Sequence, residues 1–221
     1  MCRNDPGHRL VSRSSPAHLL VLHAIRISGF ADAAAIAHRF DLDVAETEEH
    51  LGDAEARGWA THSAFAGTAG WSLTERGRAE NERQLAAELA RTGGAEDVRD
   101  VYREFLPLNA LLLRACTDWQ LTPGPGDRLV PNDHSDPARD AGVLHELAGL
   151  DRALTPLIGR LAGLLARFRG YDTRFSTALA RAHAGDTAWV DRTDVDSCHR
   201  VWFELHEDLI ATLGIDRHAE R

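Results

Sequence analysis

Three observations predict a mostly α-helical chain. Apolar residues recur at intervals of three and four through most of the 221 residues, the spacing that lines one face of a helix. One run, 59–65, alternates as a strand, and a Gly-containing tip, 66–70, leads to a short return strand, 71–73; that pattern is a hairpin. The string Trp71-Ser72-Leu73-Thr74-Glu75-Arg76-Gly77-Arg78 then turns strand into helix. Three helices, a hairpin and a further helix, in that order, make an N-terminal winged helix-turn-helix with a small β-wing. An all-α helical C-terminal domain follows.

Residues 1–15 are polar and read as a flexible arm carrying Arg3, Arg9 and Arg13. Pro16 suits a first helical turn. The first helix, 18–28, sets Leu19, Leu22, His23, Ile25 and Arg26 at helical spacing, and Gly29 stops it. The second, 31–40, has Asp32 as N-cap, with Ala35, Ile36 and Phe40 inward. The third, 44–57, buries Val44, Thr47, Leu51 and Ala54, and Gly58 ends it by C-cap logic. Thr74 caps a fourth helix running to about 91, which Gly93-Gly94 breaks. The winged unit therefore spans 16–92 and the helical domain 93–221.

In the second half, 97–119 is a long apolar helix that Pro107 should kink by removing an amide donor. Residues 121–138 hold four prolines and read as a long loop, the kind of segment that often carries function. Further helices are predicted over 140–168, 173–184 and 196–213, the last burying Cys198, Val201, Trp202, Leu205 and Leu209.

Charge narrows the classes of function. The net charge is −9, and splitting the chain at residue 95 leaves −3 (10 Arg, 13 acids) and −6 (15 Arg, 21 acids). Neither half has the basic excess of a dedicated nucleic-acid domain. The three cysteines, Cys2, Cys116 and Cys198, are odd in number and far apart, which suits a reducing cytoplasm. No apolar run reaches the ~18 residues of a membrane span, so a cytoplasmic protein without a membrane partner is expected.

Ala35-Ile36-Ala37, Leu51, Ala56-Arg57-Gly58-Trp59 and the string 71–78 resemble the MarR-like winged-helix transcriptional regulators over about residues 16–92. The resemblance implies a homodimer on a two-fold site in double-stranded DNA, with the third helix in the major groove. One departure stands out. Asp41, Asp43, Glu46, Glu48, Glu49, Asp53 and Glu55 crowd the third helix and its lead-in, with no arginine among residues 41–55. Carboxylates can accept from cytosine, yet they repel the phosphates that dominate affinity. Backbone and base contacts would fall to Arg26, Arg39, His50, Arg57, Arg76 and Arg78. The alternative is a degenerate winged helix that binds no DNA and docks a partner protein with its acidic third helix.

Thr117-Asp118-Trp119, Asn132-Asp133-His134-Ser135-Asp136 and 202–208 resemble the C-terminal part of actinobacterial winged-helix proteins labelled as regulators, a resemblance that names no ligand. Pockets between helices are mostly apolar with a few polar groups. Asn109, Arg114, Asp118, Trp119, Trp202 and His206 are the candidates for an unknown small-molecule effector, with core aromatics and surface polar groups as the plainer reading.

Neither metal nor cofactor is expected, and no catalysis. His134 lies near Asp133, Asp136 and Asp140, and His199 and His206 share a helix face. The HExxH pattern nevertheless fails at His145, where Gly149 stands, and at His206, where Ile210 stands. Cys116 and Cys198 lie on apolar stripes and read as packed thiols, a redox sensor being the sharper reading.

Overall fold

A computed structural model describes residues 12–65, 67–124, 126 and 128–215. The arm positions 1–11, Cys2, Arg3 and Arg9 among them, and Ala66 at the tip lie outside those residues. The chain is mostly helical, with a small two-stranded antiparallel sheet in its N-terminal half. No helix among the described residues is long and apolar enough to cross a membrane.

The N-terminal half runs α1 (Ala17–Ser28), α2 (Ala33–Arg39), α3 (Val44–Ala56), β1 (Ala60–Phe65), β2 (Thr68–Leu73) and α4 (Glu75–Thr92). Asp32 caps α2 by accepting from the Ala35 amide at 2.8 Å. Asp43 caps α3 by accepting from Glu46 at 3.0 Å. β1 and β2 pair from Ala60 with Leu73 to Phe65 with Thr68, so the hairpin is tighter than the expected five-residue tip. Ala31 adds a single rung beside Trp71, with amide-to-carbonyl distances of 3.2 and 2.8 Å. Val44 is a correction: it is 45% exposed, because the first turn of α3 projects past the body, whereas Thr47, Leu51 and Ala54 are buried as expected.

The string 71–78 has a steric explanation. The Thr74 hydroxyl caps α4 by accepting from the Gly77 amide at 3.0 Å and donates to the Gly58 carbonyl at 2.6 Å. The Thr74 amide donates to the Trp59 carbonyl at 2.9 Å. That ties the end of β2 to the end of α3 and presses α4 onto the same turn. A Cβ on Gly77 would lie 1.8 Å from the Trp59 carbonyl oxygen, so no larger residue fits.

The C-terminal half runs α5 (Ala95–Gln120), β3 (Leu121–Pro123), β4 (Leu129–Pro131), α6 (Pro137–Leu164), a 3-10 turn (Ala166–Phe168), α7 (Tyr171–His183), α8 (Ala188–Asp191) and α9 (Cys198–Leu213). The long loop expected over 121–138 contains the small β3–β4 ribbon. α5 continues through Pro107 as one helix. Its Phe105, Leu112 and Trp119 join Leu147, Leu154 and Leu161 of α6, Phe175 of α7, and Val201, Trp202 and Leu205 of α9 in one large core.

The junction of the halves is packed. α1 is buried along both flanks, from Leu19 to Ile27. One side meets Ile36, Leu51 and Ala54 of its own unit; the other meets Leu85 of α4 and Ala211 of α9. Residues 12–15 are pinned rather than loose. Arg13 exchanges backbone hydrogen bonds with Leu164 and Ala166 at 3.2 and 2.9 Å, and the Ser12 hydroxyl donates to the Ala162 carbonyl at 2.6 Å.

Gly77→Ala should cost about 3 kcal/mol, the upper range for forcing a group into packed space. Gly52→Ala, in open space on α3, should instead stabilise by about 0.5–1 kcal/mol. Urea unfolding of the two variants checks both signs.

Candidate functional site

α3 presents its acids outward. Glu46, Glu48, Glu49, Asp53 and Glu55 are all exposed. His50 is half-buried, 3.7 Å from the Glu46 carboxylate, with its ring 6.3 Å from that of His18. Arg57 is exposed, 3.3 Å from Asp53, and lies over the Trp59 ring at 5.0 Å. Arg76 is exposed on the first turn of α4. Arg78 is half-exposed and reaches Glu207 at 3.7 Å.

The other two predicted phosphate contacts point inward. Arg26 is buried, its Nε donating to Glu207 at 2.5 Å and its NH1 to Glu82 at 2.8 Å. Arg39 lies over the rings of Phe40 and Tyr171 at 4.6 and 4.4 Å and faces Glu204 at 3.3 Å. Both are corrected here to internal ion pairs. α1 and α2 turn these side chains toward α9, away from the surface of α3.

The acceptors come from the buried side of a single helix. Glu204, Glu207 and Asp208 of α9 are all buried. Asp208 accepts from His23 Nε2 at 3.0 Å, from the Tyr171 hydroxyl at 3.1 Å and from Arg167. Arg167, fully enclosed, also donates to Glu88 at 3.0 Å and to Thr212 at 2.7 Å. Glu204 further accepts from Arg174 at 2.7 Å. Burial disfavours the Asp208 carboxylate, but the Arg167 guanidinium and His23 outweigh it and hold its carboxyl well below the usual range. The Arg167 charge survives the same opposition, with Asp208 and Glu88 raising its pKa against burial. The sequence held one signal for this cluster: Glu204, Asp208 and Thr212, at four-residue steps, share one face of an apolar helix.

The six predicted ligand contacts do not form one site. Asn109, Trp202 and His206 come together in a groove of about 270 Å³ between α5 and α9, with Leu112 and Phe203. Asn109 Oδ1 accepts from the Trp202 indole at 3.1 Å, and that indole is sealed between Phe105 and Phe175. Trp119 lies ten residues further along α5, about 15 Å by helix rise. It is buried, 4.6 Å from the His134 ring. Asp118 reaches Arg139 at 3.8 Å, and Arg114 is exposed.

The residues around His134 are structural. Asn132 donates to the Trp119 carbonyl at 3.0 Å, His134 contacts Asp140 at 3.0 Å, and Arg139 donates to the Leu121 carbonyl at 2.8 Å. Together they close the β3–β4 ribbon onto the end of α5. Among the described residues, no group of three His, Cys, Asp or Glu is placed to hold a metal ion.

No family model, curated protein or solved structure matches the chain.

Two stability predictions follow from the buried groups. Arg167→Met strands Asp208 and Glu88 and should cost about 3–5 kcal/mol, the loss seen when one partner of a buried pair is removed; chemical denaturation reads it. Asp208, with its folded pKa depressed, contributes fully above the ordinary aspartate value of about 3.9. That contribution is lost as pH falls from there toward the folded value, so stability measured below about pH 4 should fall more steeply than in Asp208→Asn. Burial, with Asp191 adding, pushes the Cys116 thiol up to about 12, and burial also raises Cys198. In a Cys2→Ser background, iodoacetamide at neutral pH should label neither cysteine until denaturant is added; rapid labelling of the folded chain would revive the redox reading.

Proposed function

We propose that residues 16–92 form a winged helix and that the chain is a dimeric, MarR-like DNA-binding transcriptional regulator. The observation that carries this reading is the arrangement around α3. That helix stands clear of the body along its outer face, β1–β2 lies beside it, and Ala31 adds a single bridge on the other side of β2. A helix that enters a major groove needs such a projecting face, supported from behind. With Arg26 and Arg39 engaged internally, phosphate contacts fall to Arg57, Arg76 and Arg78, and base contacts to the first turns of α3. Binding is therefore weak and strongly salt-dependent. The groove at Asn109, Trp202 and His206 is the place for a small-molecule effector, which must prefer one conformation to act as a switch.

A second reading has its own observation. The exposed carboxylates of α3, with Arg57 leaning on Asp53 at 3.3 Å, suit a basic surface of a partner protein better than a phosphate backbone.

One experiment separates the two. Sheared genomic DNA is selected by the purified chain at low and moderate salt. A regulator enriches fragments sharing a two-fold repeat, and Arg76→Gln, which removes one phosphate contact from each protomer, lowers the slope of log affinity against log salt by about 1.8 for the dimer. Replacing Glu46, Glu49 and Asp53 by Gln strengthens nonspecific binding if α3 faces phosphates. No enriched fragment, together with no response to those Gln substitutions, removes α3 from the groove and leaves the partner reading.

A further inference from the structure

We infer that the chain has a binding site for a small tetrahedral oxyanion, phosphate or a phosphate monoester, where residues 14–15, the end of α2 and the 3-10 turn meet. The inference does not depend on DNA binding and lies apart from the groove between α5 and α9. An open groove of about 440 Å³ is lined there by Ser15, His38, Arg39, Phe40 and Arg169, among others.

Two lining residues carry buried donors that have no partner among the described residues. The Ser15 hydroxyl, on a residue 8% exposed, has no hydrogen-bond partner among the described residues, and neither has NH2 of Arg39. The Arg39 side chain is itself only 8% exposed. Its Nε lies 3.3 Å from Glu204 but out of hydrogen-bond alignment. Buried donors are almost always paired, because leaving one unpaired forfeits its hydration with no return. Two of them lining one groove, from different segments of chain, ask for an acceptor.

The charge of the lining names the acceptor. Arg39 and Arg169 are cationic, and His38 stands exposed on the same wall. Arg167 borders the groove, but its donors are taken by Glu88, Asp208 and Thr212. Asp41 is the one acid among the described lining residues. Donors approach from three separate segments, which suits an acceptor offering oxygens in several directions. Guanidinium and hydroxyl donors are the usual partners of such oxygens. Leu20, Phe40 and Ala166 supply an apolar wall against which the organic part of a monoester can lie.

The test is calorimetric titration of the full chain with inorganic phosphate, phenyl phosphate and acetate, against sodium chloride at matched ionic strength. Phosphate should bind where chloride gives no saturable heat. Ser15→Ala and Arg169→Gln, which leave the Arg39–Glu204 pair intact, should each weaken it about ten- to a hundredfold, the worth of one charge-assisted hydrogen bond, with circular dichroism unchanged. Equal binding of the two phosphates assigns the free ion, and tighter phenyl phosphate assigns a monoester. Absence of saturable phosphate binding overturns the inference. So does binding that both variants leave unchanged, or acetate binding as tight as phosphate.

Discussion

The Arg167 guanidinium has no water to turn to, so its place is dictated by the oxygens that reach it. A cation so deeply enclosed is tolerable only when paired and hydrogen-bonded on several sides. Glu88 comes from α4, and Asp208 and Thr212 come from α9. Asp208 in turn takes His23 from α1 and the Tyr171 hydroxyl from α7. Four helices thus converge on the 3-10 turn that carries Arg167. Once α9 is held there, Glu204 and Glu207 fall opposite Arg39 and Arg26. The seating of the N-terminal unit on the helical half combines this buried group with the apolar junction of Leu19, Leu20, Leu85 and Ala211.

That seating shapes the outer electrostatics. Cations counted in the sequence as surface charge are spent inside, so the exposed face of α3 and its surroundings is more acidic than a charge tally of −3 for the first 95 residues implies. Any polyanion approaching α3 meets carboxylates first and must be held by Arg57, Arg76 and Arg78 at the edges. The same internal pairs leave Arg39 with a terminal nitrogen that meets no acceptor among the described residues.

Local signals were readable, and pairings across the chain were not. Asp32 and Thr74 announce helix starts because a cap acts over three residues, and the structure shows both capping. Gly77 is part of a legible string, but its reason, the Trp59 carbonyl, lies 18 residues away and needs the fold. Val44 was misplaced because helical spacing says which residues share a face, not where the body ends. The β3–β4 ribbon escaped because three-residue strands flanked by prolines carry no periodicity. Arg26 and Arg39 were read as surface groups because an arginine on a helix is ordinarily solvated; their buried acceptors on α9 lie more than 160 residues further on. Asn109 and Trp202 were singled out together and do touch, whereas Arg114 and Trp119, on the same helix as Asn109, do not share their groove.

The burial of α1 on both flanks bears on how the molecule comes apart. A helix whose neighbours belong to both halves is not owned by either. Cut at Gly93-Gly94, the leading fragment would uncover Leu19 and Leu20 where Ala211 lay, take Asp208 from His23, and leave Arg26 with Glu82 but without Glu207. The trailing fragment would keep its large core and the Arg167–Asp208 pair but lose the cover over Ala211, the His23 contact to Asp208 and the counter-charges of Glu207. The two units outlined by the sequence should therefore unfold as one cooperative body, joined by a helix that packs on both.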